Sequence, residues 1–303
     1  MLATHRDEHA ALVAMLRSTT AKWHELTLEL LERGSALALW EERDRGALIA
    51  DPTDASQLDS AARDIDEWQQ RGWCFVSILD DVYPAQLRDI HQAPPFLFTR
   101  GTLVPDDTAI SVVGSRKVSP QGLRMASSIA TALAERGITV VAGLAEGVDG
   151  AAHRAALQAD KRTVAFIGTG IAQSYPASHR DLQEQIACDG LVLSQFWPDA
   201  PPKPPHFIMR NASMSGYSRA TIVVEAGENS GTRAQARMAV EHGRPVILTD
   251  RVAESTEWGK SLVNRPGVSV ASSLDAVMRH VDDAVNQDKE IDTLLHDLAH
   301  TAL

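Results

Sequence analysis

Cysteine is nearly missing: Cys74 and Cys188 are the two in the chain, far apart and without Cys-x-x-Cys spacing. That excludes a disulfide scaffold or a cysteine-rich zinc site, and it fits a reducing compartment. Long apolar runs are missing too. The opening residues carry Arg6, Asp7 and Glu8 where a signal peptide has its apolar core, and no later run reaches membrane-spanning length. The expectation is a soluble, cytoplasmic protein with no membrane partner. Basic residues are in deficit, leaving a net charge of −11, which weighs against nucleic acid as a partner. The deficit is uneven, however: residues 101–250 hold 14 basic and 14 acidic side chains, whereas both ends are acidic. A neutral middle can still present a cationic groove, because steering follows local potential. At 303 residues the chain can bury a sizeable core, enough for one large domain with a smaller appendage.

What is present is clearest between Ile110 and His153. Ile110 to Val113 reads as a buried strand that ends at Gly114-Ser115-Arg116-Lys117. Ser119 supplies an N-cap and Pro120 a tolerated first helical position. Apolar residues then recur at Leu123, Ala126, Ala130, Leu133 and Ala134 until Gly137 closes the helix. Ile138 to Ala142 is a second strand, followed by the turn from Gly143 to Gly147, with Asp149 placed to cap the next helix. In open parallel sheets, ligands bind beyond the carboxyl ends of strands, where helix N-termini favour anions. Two such ends, with Arg116 and Lys117 beside the first, predict a phosphate-binding crevice. The alternative is that the glycines only permit tight turns. The spacing is not Gly-x-Gly-x-x-Gly, so a dinucleotide cofactor is disfavoured.

Residues 1 to about 70 read as helices. Leu12, Met15 and Leu16 share one face, Leu26, Leu28, Leu30 and Leu31 form a second cluster, and Gly34-Ser35 is a break before Ala36. Trp73 to Leu79 is strand-like, and the segment reaching Phe96-Leu97-Phe98 is expected to pack on the main sheet. Strands follow at Thr163–Ile167, ending in Gly168-Thr169-Gly170, at Leu191–Leu193, Thr221–Val224 and Val246–Leu248. Tyr175-Pro176 precedes a helix from Ser178. The proline-dense run 198–205 is expected to be an extended connector that delivers His206 to Asn211 to the site. Helical units are expected near 258–263 and 274–285. In the terminal piece Ile291, Leu294, Leu295 and Leu298 share a face, expected to dock on the chain's own body.

Together the motifs point to a family. Val113-Gly114-Ser115-Arg116, the Gly143 to Asp149 turn with His153, Gly168-Thr169-Gly170 with Tyr175-Pro176, Arg210-Asn211, Glu225-Ala226 with Ser230-Gly231-Thr232, and Gly243-Arg244-Pro245 occur in the order and spacing of the DNA-processing protein A family, also called Smf. The resemblance runs from about residue 72 to 270. It implies an α/β fold: an extended Rossmann-like, doubly wound, mostly parallel sheet with a small N-terminal helical domain. The division it suggests is 1–70 (a sterile-alpha-motif or helix-hairpin-like domain), 71–285 (the core) and 286–303 (a C-terminal helix). It further implies single-stranded DNA as ligand, a RecA-like recombinase as recipient of that strand in DNA uptake or recombination, a homodimer, no cofactor and no catalysis. The family's DNA-binding pocket maps onto Gly114, Ser115, Arg116, Gly143, Gly147, Gly168, Gly170, Arg210 and Asn211, and Lys117 adds charge beside it. Asp149, His153, Tyr175, Glu225, Ser230, Gly231 and Thr232 form a supporting set. The chain departs from the family where Arg-Asn-Arg is usual and Arg210-Asn211-Ala212 stands, and it is expected to lack the C-terminal winged helix of many members.

Several residues carry two readings. His153, four residues after Asp149, either shares a proton with it near a ligand or simply bonds nearby backbone. Glu225 sits at a strand end, where nucleoside-monophosphate phosphoribohydrolases carry a catalytic acid. The stretch from Gly227 to Thr232 lacks that group's paired glycines, so a nucleotide-binding sensor or hydrolase, in a defence or mobile-element system, is the alternative. His179, His206 and His242 have no ligand spacing, and no metal is implied. Trp197 and Trp258 are read as packing rather than base-stacking residues. Val246–Leu248 and Leu274–Val277 are the apolar stretches available for self-association.

Overall fold

The structure, a computed structural model, describes residues 5–18, 22–46 and 53–301, and the side chains of these except 44–46, 53–55 and 288–301. Helices α1 (His5–Ser18), α2 (Trp23–Arg33), α3 (Ala36–Gly46) and α4 (Thr53–Gln70) come first, followed by β1 (Cys74–Ser77), α5 (Ala85–Arg88) and β2 (Phe96–Gly101). Next come β3 (Ala109–Val113), α6 (Pro120–Glu135), β4 (Thr139–Ala142), α7 (Val148–Gln158), β5 (Thr163–Phe166), α8 (Arg180–Asp189), β6 (Leu191–Ser194) and α9 (Pro204–Tyr217). The chain continues through β7 (Ala220–Val223), α10 (Thr232–Glu241), β8 (Val246–Thr249), α11 (Asp250–Ser255), α12 (Glu257–Leu262), β9 (Val268–Ala271) and α13 (Leu274–Thr301).

The strands form one nine-stranded sheet in the order β1-β2-β6-β5-β4-β3-β7-β8-β9. Pairing from β6 through β9 is parallel, and β1 and β2 add an antiparallel edge. The fold is the Rossmann-like α/β class expected. Interior strands are fully buried and mostly apolar because helices cover both faces. β3 has β4 on one side and β7 on the other, so the chain reverses direction across the sheet between β3 and β7. That switch point is where such sheets open a crevice.

Both expected ends of α6 are present. Ser119 accepts the Gly122 N–H at 3.0 Å with Pro120 in the first turn, while the Gly137 and Ile138 amides close the helix on Ala134 and Leu133. Leu123 is the exception, lying exposed while Ala126, Ala130 and Leu133 are buried. In the opening helices Leu12, Met15, Leu16, Leu26 and Leu30 are buried, but Leu28 and Leu31 face solvent. Trp68 packs edge-on against Phe98 with ring centroids 4.8 Å apart, and Phe96 stacks on Trp197 at 5.2 Å. This aromatic cluster carries the helical segment onto the sheet, with Trp197 inside it.

Three expectations need correction. Pro204 and Pro205 do not extend a connector but begin α9, because the first helical turn needs no N–H bond and proline's fixed φ suits it. The half-exposed strand β9 was missed, since its short run between Gly267 and Ser272 gives no alternation long enough to read. Val246–Leu248 is no self-association surface: β8 is buried between β7 and β9, and Ala276 and Val277 of α13 are turned into the core. α13 is one continuous helix, and the docking expected of Ile291, Leu294, Leu295 and Leu298 concerns side chains outside the described residues.

Candidate functional site

Two adjoining cavities open at the carboxyl ends of β3, β4, β5 and β7. The larger, about 610 Å³, lies at the switch point and is lined by Gly114, Ser115, Arg116, Lys117, Asp149, Arg210, Asn211 and the Ser230-Gly231-Thr232 turn. The smaller, about 210 Å³, is lined by Gly143, Gly168, Tyr175 and Glu146 among others. Arg116, Ala145, Phe207 and Arg210 belong to both. Most residues singled out from the sequence therefore meet in one crevice.

The β3 loop is self-supporting. Ser115 Oγ donates to the Lys117 carbonyl at 2.8 Å and accepts the Lys117 N–H at 3.1 Å, and the Ser115 amide donates to the Glu225 carbonyl at 2.6 Å. This leaves the Arg116 and Lys117 side chains exposed over the cavity. Among the described residues neither cation has an ion-pair partner. Arg116 does not pair with Asp149 or Glu225; its guanidinium lies over the Phe207 ring, 5.6 Å from the centroid. Tyr175, exposed, tilts against the same ring at 5.5 Å.

Arg210 plays a different part from Arg116. It is buried beneath the crevice, where Nη1 donates to the Phe166 carbonyl at 3.2 Å and Nε has no partner. A Cβ on Gly143 would sit 1.2 Å from that Nη1, so glycine is required for the guanidinium to pass. Asp149 is buried nearby. Its carboxylate accepts the Gly143 and Ala145 amides at 3.0 and 3.3 Å, so it holds the β4 turn rather than capping α7, whose N-cap is Gly147. Burial pushes the Asp149 carboxyl up and pulls Arg210 down, each opposed by the attraction of the other.

The helix N-termini are not equally free. Glu225 accepts the Ser119 amide at 2.9 Å and its hydroxyl at 2.6 Å, and Arg251 approaches the same carboxylate at 3.2 Å. The start of α6 is thus already answered by a carboxylate, and Asp149 occupies the amides before α7. α10 begins differently: no acid lies in its first turn, the Thr232 amide is met by the neutral Ser230 Oγ at 3.2 Å, and Ser230 to Thr232 face the larger cavity. Anion affinity at helix starts therefore concentrates at α10.

Four predicted residues lie outside both cavities. Gly147, at φ +80, packs where a Cβ would meet the Ser115 carbonyl at 2.3 Å, and so joins the two loops. Gly170 lies against the Trp197 and Pro198 carbonyls, each 2.1 Å from where its Cβ would be. Glu225 is behind the loop. His153 is fully buried, its Nδ1 2.7 Å from Thr163 Oγ1. Because that hydroxyl donates to the Val140 carbonyl, the proton sits on Nδ1, and Nε2 is left without a partner. Burial, followed by the charges of His179, Arg154 and Arg210, brings His153 down to about 3, so it shares no proton with Asp149. Sequence reasoning did not single out Met214, Asn229 or Gln235, which line the larger cavity, and had Phe207 only as part of a stretch. Phe207 lay inside the stretch expected to reach the site, and its helical setting gave the signal only once the prolines were read as a helix start. His179, His206 and His242 lie apart, bonded to Leu144, stacked on Phe196 and bonded to Ser215 respectively.

A family model described as DNA recombination-mediator protein A matches residues 74–282. The DNA processing protein DprA of Streptococcus pneumoniae is 43% identical over 172 residues, which are 56% of this chain and 61% of that protein. Protein Smf of Escherichia coli is 39% identical over 197 residues, 61% of this chain and 53% of its own length. The chain spans less than two thirds of both curated relatives. The X-ray structure of DprA from Streptococcus pneumoniae superposes with a TM-score of 0.69 at 29% identity, over 92% of this chain and 98% of that one. A Helicobacter pylori DNA processing protein A, solved for its single-stranded DNA binding mode, shares the fold with a TM-score of 0.61 at 22% identity, over 71% of this chain and 96% of that one. Every residue lining the two cavities falls within the matched span, and the chain belongs to the DNA recombination-mediator protein A family.

Proposed function

We propose that this chain binds single-stranded DNA along the double crevice, with phosphates held by Arg116, Lys117 and the acid-free start of α10, and bases laid against Phe207 and Tyr175. The observation that carries the reading is Arg116, an exposed guanidinium that makes no ion pair among the described residues and stacks on Phe207 between the two cavities. A cationic track beside aromatic faces suits a strand whose bases are unpaired. Gly114, Ser115, Gly143, Gly168 and Asn211 shape the walls, and Arg210 acts from beneath. The crevice is walled by the loops after β3 and β4, the Ser230-Gly231-Thr232 turn and the α9 face that carries Phe207, Arg210 and Asn211, a concave setting rather than a helix offered to a duplex groove.

Family membership supports the remainder of the proposal: a cytoplasmic, non-catalytic homodimer that hands the strand to a RecA-like recombinase. The described residues contain no helix long and apolar enough to cross a membrane. The nucleotide-hydrolase alternative loses its acid, because the Glu225 carboxylate is tied to Ser119 and Arg251. Fluorescence anisotropy with an oligothymidine and a duplex of equal length, titrated with salt, tests the reading. Tighter binding of the single strand, falling steeply with salt, is expected. Equal affinity for both, or none at low salt, sinks the proposal, and mononucleotide binding with base release would replace it by the alternative. Light scattering on the same samples reads the dimer, which a strict monomer would remove.

A further inference from the structure

His5 and His9 lie four residues apart on α1, so both imidazoles project from one face of the helix. Facing them is Asp80, in the turn after β1. His9 Nε2 is 3.0 and 2.8 Å from the two carboxylate oxygens of Asp80, and His5 Nδ1 is 3.4 Å from Oδ1. One ligand atom from each of the three residues falls within 4.8 Å of the others. Two imidazole nitrogens and a carboxylate oxygen are a zinc-type donor set, and tetrahedral zinc with bonds of roughly 2.0–2.1 Å holds its ligand atoms about 3.3 Å apart. Both imidazole–carboxylate spacings are already close to that, and the two imidazoles, within 4.8 Å of each other, need only a rotamer adjustment of the exposed His5 to complete the set.

Two of the three ligands are held in place by their surroundings. Asp80 is buried, its carboxylate also accepts the Ser77 amide at 2.8 Å, and Arg88 grips the turn by donating to the Ile78 carbonyl at 3.0 Å and to the Asp80 carbonyl. His9 is braced edge-on by Phe75, with ring centroids 5.2 Å apart. His5 is solvent-exposed at the rim, which leaves an entry path and room for water as a fourth ligand. We propose that His5, His9 and Asp80 form a transition-metal site of the zinc class that fastens helix α1 to the turn following β1. None of the three lines either DNA cavity, so the site is separate from the proposed strand track. The competing account is a metal-free His9–Asp80 hydrogen bond that docks the helix, with His5 a bystander.

The test uses the full chain, free of any affinity tag, stripped with a chelator and dialysed. Cobalt(II) is titrated while the visible absorption is followed, zinc is then added in competition, and the melting temperature is read against zinc concentration. One equivalent of cobalt is expected to give a band of low-coordinate intensity that zinc abolishes, and melting should rise steadily with zinc. His5→Ala is the decisive variant, because an exposed side chain can be removed without unfolding the protein. It should weaken cobalt binding at least tenfold and abolish the zinc-dependent rise, while the metal-free melting temperature stays at the parent value. Absence of a stoichiometric cobalt band in the parent protein, or His5→Ala titrating like the parent, overturns the proposal.

Discussion

Arg116 and Arg210 border the same crevice, yet their surroundings assign them opposite duties. Arg210 is buried, bonded to the Phe166 carbonyl and attracted to the opposite charge of Asp149, so replacing it disturbs the floor before it disturbs a ligand. Arg116 is exposed and rests on Phe207. Arg116→Ala should therefore weaken binding of a single strand and flatten the plot of log affinity against log salt by about 0.7 if one phosphate contact is lost. Its melting temperature should match the parent's, because no ion pair is broken. Arg116→Glu should bind worse still. A folded Arg116→Glu protein with parental DNA affinity would show that this crevice is not the DNA site.

At the scale of elements, what was legible in the sequence was whatever local chemistry decides. Ser119-Pro120 and Gly137 bound α6 because caps act through their own backbone, and the apolar runs of β3 and β7 announce strands buried on both faces. What was illegible depends on partners distant in sequence. Nothing near Arg210 reveals that its guanidinium crosses Gly143, nor does anything near Glu225 show that it caps α6. The far end of the sheet holds a similar case in Asp107, which accepts Thr139 Oγ1 at 2.6 Å, Arg162 Nε at 2.9 Å and Tyr217 Oη at 2.8 Å. One carboxylate thus ties the starts of β4 and β5 to the end of α9. Asp107→Ala leaves three donors without their acceptor and should cost about 3 kcal/mol in urea unfolding. DNA affinity of the folded protein should not change, since Asp107 precedes β3 and the crevice lies at the other ends of the strands. A loss below about 1 kcal/mol would mean that water replaces the carboxylate without penalty.

For the whole molecule, the groups that titrate between neutrality and mild acid set how stability follows pH, and His153 is the most deeply placed of them. Its folded-state value lies at about 3, whereas an unfolded histidine takes its proton near 6.5. As pH falls through 6.5 the unfolded chain is protonated first, so the stability present above that point is lost progressively toward pH 3. Between pH 6.5 and 5 this one group accounts for about 2 kcal/mol. His242, half-buried beside His91 and Arg244 and brought down to about 4, adds a loss of the same sign that ends at a higher pH. His153→Gln keeps a side chain able to reach Thr163 but cannot take the proton. Urea unfolding at pH 7 and pH 5 should therefore show a smaller drop in the variant than in the parent, by about 2 kcal/mol. Equal drops would mean that His153 escapes its burial and is protonated in the folded protein, which would require the α7–β5 contact around Thr163 to open under mild acid.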